Sequence, residues 1–365
     1  MSTRRTILKT GAAAAVATTL GPRPATADRP DLQAALDRIV AAGASGALAE
    51  FRDGPSRWRG VSGVAELGTT RPVPRNGRFR IASVTKTFVA TVVLQLVGEG
   101  RLLLDDTIDR WLPGAVPHTD RITVHQLLQH TSGVYDYTRR IAELYPDMEA
   151  LLRHRYRHWS LDGLVALTAG QPLDFEPGTS SSYSNTGYIL LAMIMERITG
   201  RPYAAEIARR ILRPLGLRDT ELPGDDPEIA GPHSHGYVPL DQDGRTVPVD
   251  ITSFNMSLAA SAGEMISTPA DVNGFFRALL TGRLLPPALL ERMLADPVDR
   301  YGLGIEQIQV SRDVTLWGKG GNFFGFDTMA LTTADGLRQL SIMDHPWGDD
   351  DGQAVMDLIA TAFPG

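Results

Sequence analysis

The chain predicts an α+β fold: an antiparallel sheet formed by both chain ends with flanking helices, plus an inserted, mainly helical lobe. Strand-like runs cluster near the start and return near the end, while helical periodicity dominates between them. No internal repeat points instead to a solenoid or propeller. From Asp31 to Ala42, Leu32, Leu36, Ile39 and Val40 recur at helical spacing and open the fold with a helix. Runs near 46–52 and 57–65 read as two strands joined at Asp53-Gly54-Pro55-Ser56. After Ser83, the residues Phe88, Val89, Val92, Val93, Leu96 and Val97 mark a long helix that ends around Gly98 and Gly100. From about 100 to 260 the chain is expected to be mostly helical, with loops at Pro113-Gly114, Pro177-Gly178 and Pro223-Gly224. Helix signals return at 270–281 and 286–295, followed by strand-like runs near 302–310, 313–318, 325–332 and 338–344. A helix from about Gln353 to Phe363 closes the chain. The division expected is a sheet lobe over about 28–82 and 262–365 and a helical lobe over about 83–261, together one domain over 28–365.

Residues 1–27 read as a removable leader. Arg4 and Arg5 precede an alanine-rich apolar stretch from Gly11 to Leu20, and Ala25-Thr26-Ala27 supplies small residues for cleavage before Asp28. This order is that of a twin-arginine type export signal, so a secreted, extracytoplasmic protein is expected. The apolar stretch is too short for a stable membrane anchor. Loss of the leader takes the formal charge from −6 to −10, with 32 basic against 42 acidic residues. A net acidic chain without a basic run offers no footprint for nucleic acid. Cysteine is absent, which excludes disulfides, thiolate metal sites and a thiol nucleophile. His154 and His158 are spaced i, i+4 without the acid of an H-E-x-x-H motif. No metal and no cofactor is expected.

Lysine is the informative residue type. The 36 basic residues include three lysines, Lys9, Lys86 and Lys319, and Lys9 lies in the leader. Arginine supplies charge almost everywhere else. Arginine does not give up its proton in a protein, whereas a crowded ammonium does. The two surviving lysines are therefore candidates for chemistry that arginine cannot perform.

Both fall in short motifs. Ser83-Val84-Thr85-Lys86 stands where strand and loop give way to the long helix. Residues i and i+3 share a helix face, so the hydroxyl and the amine come within hydrogen-bonding reach. A neutral amine there takes the hydroxyl proton, given burial or a neighbouring cation. Tyr183-Ser184-Asn185 offers a phenol for proton relay and an amide for substrate binding. Trp317-Gly318-Lys319-Gly320-Gly321-Asn322 sets a lysine among glycines that let a ligand approach the backbone closely.

In this order the three motifs resemble the serine β-lactamase and penicillin-binding protein superfamily. The Tyr-x-Asn variant is similar to the class C β-lactamase-like group, above all secreted D-alanyl-D-alanine carboxypeptidases. The likeness extends to Arg78–Lys86, Leu94–Gly100, Leu127–Gly133 and Ala262-Gly263 with Ser267-Thr268, nearly the whole chain after the leader. The resemblance implies a β-lactamase/DD-peptidase-like fold and a serine hydrolase working through an acyl-enzyme on Ser83. It implies Lys86 as activating base or proton partner and Tyr183 as proton shuttle to the leaving group; which of the two is the base stays open. Asn185, Gly320 and Gly321 would bind substrate, Lys319 would lower the pKa of Tyr183 or Lys86, and the backbone N–H groups of Ser83 and Asn322 would form the oxyanion hole. The partner is a small-molecule or short-peptide acyl substrate, β-lactams included. The pattern departs from the peptidases at two points: Gly320 lacks the hydroxyl that binds a terminal carboxylate, and Glu306 stands where similar carboxypeptidases place arginine. The activities implied are a carboxypeptidase- or β-lactamase-like peptide or amide hydrolase, an esterase or D-amino-acid amidase or acyl transferase, or a penicillin-binding protein that traps ligand without turnover.

Overall fold

The structure, a computed structural model, describes residues 28–295, 297–347 and 352–364. The export leader expected over 1–27 lies outside the described residues. In chain order the strands are β1 (Ala44–Asp53), β2 (Ser56–Gly63), β3 (Phe79–Arg80), β4 (Tyr237–Gln242), β5 (Arg245–Asp250), β6 (Ile266–Ser267), β7 (Glu306–Gln309), β8 (Thr315–Phe323), β9 (Phe326–Thr333) and β10 (Arg338–Pro346). Six of them form one antiparallel sheet in the order β2-β1-β10-β9-β8-β7. The two chain ends meet at β1 and β10, in the register Leu48↔Met343 and Phe51↔Leu340.

Both faces of this sheet are buried, and the two-residue period of a strand divides its side chains between them. Ala47, Ala49, Phe51, Leu316 and Ile342 pack outward under α1 (Pro30–Ala41) and the C-terminal helix Gly352–Ala362. Leu48, Trp317, Ala330 and Met343 pack into the larger core that α2 (Thr85–Gly98), α3 (Asn185–Thr199) and α4 (Pro269–Leu280) share. α2 is apolar nearly all round and its Phe88, Val89, Val92, Leu94 and Leu96 are fully buried, as expected of a helix running through a core. The segment that carries Ser83 and Lys86 is thus anchored in the best-packed part of the molecule.

The middle of the chain is less helical than its periodicity suggests. Besides α3 it contributes short pieces such as Thr138–Leu144 and Met148–Arg153, because Pro146, Pro172, Pro177 and Pro202 break the helical hydrogen-bond pattern. It also contains the hairpin β4–β5, whose Gln242↔Arg245 closing pair leaves a two-residue loop. Asp243 (φ 55°) and Gly244 (φ 77°) supply the two positive φ values that such a loop requires.

Candidate active site

Ser83 sits in a 3-10 turn, Ala82–Val84, that runs directly into α2. The turn is fixed from both sides. The Ile81 N–H donates to Met265 O at 2.9 Å, and β3 pairs with β6 through Phe79↔Ser267 and Arg80↔Ile266. Ala82, just before the nucleophile, holds a left-handed φ of 43° although it carries a side chain. Such a conformation costs about 1–3 kcal/mol and persists only where the surroundings over-determine it.

Lys86 lies one turn further on, with none of its surface exposed. Its Nζ lies 3.1 Å from Ser83 Oγ and donates to Asn185 Oδ1 at 2.8 Å and to Ala262 O at 2.7 Å. The Ala262 carbonyl comes from the 3-10 turn Ala260–Ala262, which precedes β6. Burial pushes the Lys86 amine well below the usual lysine range, and the charge of Lys319 pushes it the same way, against the opposing pull of Asp136 and Glu306. The Tyr183 hydroxyl donates to Ser83 Oγ at 2.8 Å. Although the Tyr183 side chain is exposed to the cleft, crowding around its hydroxyl shifts the phenol upward, as do Tyr188, Glu306 and Asp136, with the Ser83 hydrogen bond opposing. In the resting site the amine is therefore the group ready to accept a proton and the phenol the group holding one.

The Tyr183-Ser184-Asn185 segment is pinned by the loop that carries His130, between the helices Val124–Leu128 and Thr138–Leu144. The Ser182 N–H donates to His130 O at 3.0 Å and the Ser184 N–H to His130 Nδ1 at 3.2 Å, while the imidazole packs 4.3 Å from the Tyr183 ring. Burial keeps this histidine far below its ordinary pKa, with Lys86 and Lys319 adding to the shift. A neutral ring in that position orients the phenol.

On the far wall, β8 presents Lys319 and Gly321 on the same face. Gly321 approaches the nucleophile so closely that a Cβ there would stand 2.4 Å from Ile81 O and 2.9 Å from Ser83 N. Those are backbone atoms with no room to give. A Gly321→Ala variant is expected to push β8 off the serine turn and to lower kcat/KM roughly 10²-fold, checked by steady-state kinetics on protein whose melting shows it folded. The Gly320 N–H points to the β7 edge, where it donates to Glu306 Oε2 at 3.0 Å. Strand alternation turns the Asn322 N–H toward that same edge, past the last β7 pairing at Gly318. Its peptide begins at the Gly321 carbon that faces Ser83 N. The Asn322 side chain itself donates to Asp327.

Lys319 Nζ pairs with Glu306 Oε1 at 2.5 Å, so one carboxylate bridges the lysine and the next backbone N–H. Sequence reasoning placed the acid near this site but did not foresee the bridge. It also passed over Asp136 and the Ala262 carbonyl, which no motif spacing marks. The charge of Lys319 lowers Lys86, whereas Tyr183 is raised by loss of solvent and by Tyr188, Glu306 and Asp136. Lys319 is held below its usual range by burial, opposed by Glu306.

Ser83, Tyr183, Asn185, Lys319, Gly320, Gly321 and Asn322 all line one cleft. The wall opposite β8 is apolar, formed by Ile141, Tyr145, Met148, Leu151 and Leu258. Among the described residues no group of three or more His, Asp and Glu side chains is placed to hold a metal ion, and no helix is long and apolar enough to cross a membrane.

Such a layout of fold and cleft is that of a serine hydrolase. A β-lactamase family model matches residues 32–335, and the chain belongs to that family, the serine β-lactamase and penicillin-binding protein superfamily. Among its relatives is an esterase, EstB of Burkholderia gladioli, 32% identical over 345 residues that span 86% of this chain and 85% of the relative. The D-stereospecific amidohydrolase from Streptomyces sp. shares 39% identity and superposes with a TM-score of 0.84 over 93% of this chain and 99% of its own. The D-amino acid amidase from Ochrobactrum anthropi SV3, complexed with D-phenylalanine, shares 27% identity with a TM-score of 0.78 over 91% and 98%.

Proposed function

We propose that the chain hydrolyses esters and amides, D-amino-acid amides among them, through an acyl-enzyme on Ser83, in preference to peptides with a free carboxylate beside the scissile bond. In the proposed cycle Lys86 takes the Ser83 proton as Oγ attacks the carbonyl carbon. The oxyanion is held by the Ser83 and Asn322 N–H groups, the contribution that usually lowers the barrier most. The tetrahedral intermediate collapses as Tyr183 gives its proton to the leaving oxygen or nitrogen, and the proton on Lys86 passes back to the phenolate. Water, or an amine in acyl transfer, then repeats the sequence against the acyl-enzyme. Export through the first 27 residues places the mature enzyme outside the cytoplasm in this proposal.

The observation that carries the preference is the Glu306 bridge between Lys319 Nζ and the Gly320 N–H. In a carboxypeptidase or with a β-lactam, a lysine and a neighbouring donor at this wall would receive the substrate's carboxylate. Here the protein supplies its own carboxylate, and a second one meets like charge and occupied donors. Losing a charged hydrogen bond costs about 1.5–3 kcal/mol, or roughly 10- to 10²-fold in rate. The apolar wall from Ile141 to Leu151 suits a large apolar side chain on the acyl group, and the relatives named as an esterase and a D-amino acid amidase fit the same choice. A panel of p-nitrophenyl esters, D-phenylalanine amide, a D-Ala-D-Ala tripeptide and nitrocefin tests it. Sustained turnover of the esters and amides is expected, with the tripeptide and nitrocefin at least ~10-fold slower. Glu306→Gln is expected to narrow that gap. Faster turnover of the free-carboxylate peptide by the wild type would overturn the reading.

A further inference from the structure

Asp136 is a buried carboxylate outside the three motifs and outside the cleft lining, yet it contacts the site at one point. Its Oδ1 accepts the Thr138 N–H at 3.0 Å, and its Oδ2 accepts both the Asn185 backbone N–H at 3.2 Å and Asn185 Nδ2 at 3.0 Å. A carboxylate is acceptor only, so it dictates which end of the Asn185 amide faces it. The NH2 end must turn to Asp136, and Oδ1 must turn to Lys86, where it accepts at 2.8 Å.

The consequence for Lys86 follows from counting its hydrogens. A neutral amine has two N–H bonds and one lone pair. The carbonyls of Asn185 and Ala262 take the two N–H bonds, and the third neighbour of Nζ is Ser83 Oγ. The lone pair is left aimed at the serine hydroxyl, as proton abstraction requires. A flipped Asn185 would offer its NH2 to that lone pair and occupy it.

We propose that Asp136 is a positioning residue: by locking the Asn185 amide it aims the lone pair of Lys86 at Ser83. The inference rests on the reading of Lys86 as the base. Around Lys86 the charged and titratable groups are Lys319 and Glu306 from the sheet wall, Asp136 and His130 from the loop before the Thr138–Leu144 helix, and Tyr183 and Tyr188 from the segment that starts α3. Of these, Asp136 and Glu306 favour the charged amine. Loss of the Asp136 charge therefore makes Lys86 easier to deprotonate, and a flipped Asn185 amide adds to the effect by bonding the neutral form.

The test is a set of pH profiles of kcat/KM on a p-nitrophenyl ester. Asp136→Asn removes the charge and keeps a single acceptor oxygen for the Thr138 and Asn185 N–H groups, so the lock on the Asn185 amide is weakened. The variant is expected to lower the plateau about 10- to 10²-fold while the acid limb moves to lower pH. In an Asn185→Ala background the same change is expected to cost less than about 3-fold, because the intermediary is gone. The swapped pair Asp136→Asn with Asn185→Asp reverses that hydrogen bond, residue 136 now donating to 185, and again leaves an acceptor oxygen of 185 against Lys86. It is expected to regain part of the plateau, with the acid limb displaced to higher pH by the new carboxylate. A plateau loss that persists undiminished in the Asn185→Ala background, or an acid limb that stays in place, would overturn the proposal. Should Asp136→Asn alone fail to fold, the swapped pair decides, since its acid limb must still rise above the wild type's. Failure of the base reading itself is distinguishable: it shows as retained turnover in Lys86→Met, whatever the Asp136 variants do.

Discussion

Ser83→Ala is expected to lower kcat/KM by about 10⁴-fold or more on every substrate the wild type turns over. The size follows from what the hydroxyl does in the geometry. Ser83 Oγ is where the Tyr183 hydroxyl (2.8 Å) and the Lys86 amine (3.1 Å) converge, so its removal takes away the nucleophile and disconnects the two groups that move protons. What remains is a cleft, two backbone donors and bound water, which sustain only a residual rate. The fold is expected to be undisturbed. The turn is held by Ile81, Met265 and the β3–β6 pair rather than by the hydroxyl. Two measurements check this: steady-state kinetics with a p-nitrophenyl ester, and mass spectrometry of protein quenched during turnover. The acyl mass is expected on the peptide that contains Ser83 in the wild type and on no peptide in the variant. Wild-type turnover by Ser83→Ala would falsify the mechanism.

The ends of this fold were readable because their side chains report a simple period. The opening helix read as Asp31–Ala42 is observed as Pro30–Ala41, and the strand pair read near 46–52 and 57–65 as Ala44–Asp53 and Ser56–Gly63. Alternating residues feed two different cores on either face of the sheet, and that alternation survives in the sequence. The middle was less legible. The β4–β5 hairpin is exposed over much of its length, so its apolar pattern is thin and only Asp243-Gly244 announces it. β7 starts at Glu306, later than its apolar run suggests, because Gly304 takes a left-handed φ of 80° that ends the extended run before it. In the site, the motif residues were legible because chemistry restricts them to few residue types. Two lysines in an arginine-rich chain stood out for the same reason. Asp136 and the Ala262 carbonyl were not legible. Asp136 lies 49 residues from Asn185 in sequence and meets it through tertiary packing, and a carbonyl is contributed by any residue at all. The Glu306 bridge was half legible: the resemblance marked an acid where similar carboxypeptidases place arginine, while the β7–β8 register that sets it against Lys319 exists only in the folded sheet.

Lys86→Met is the variant that separates the base from the structure around it. Methionine fills much of the same volume without a nitrogen, and turnover is expected to fall by about 10³- to 10⁴-fold, the scale of a lost proton acceptor beside an intact nucleophile. Stability supplies an independent readout with a definite sign. Burial holds the folded-state pKa of Lys86 well below the 10.5 of an unfolded chain. Between those two values the unfolded state binds more protons than the native state, so the wild type gains stability as pH rises through that window. Below it, both states carry the charge and the full penalty of burying an ammonium remains. The methionine variant lacks this term. The stability difference, wild type minus Lys86→Met, is therefore expected to increase with pH by up to about 1.4 kcal/mol per unit across the window and to level off near pH 10.5. Chemical denaturation of both proteins at several pH values measures it. A difference that stays flat from neutral pH to 10 would mean that the buried amine is not poised as its surroundings require, and the assignment of Lys86 as the group that takes the serine proton would fail with it.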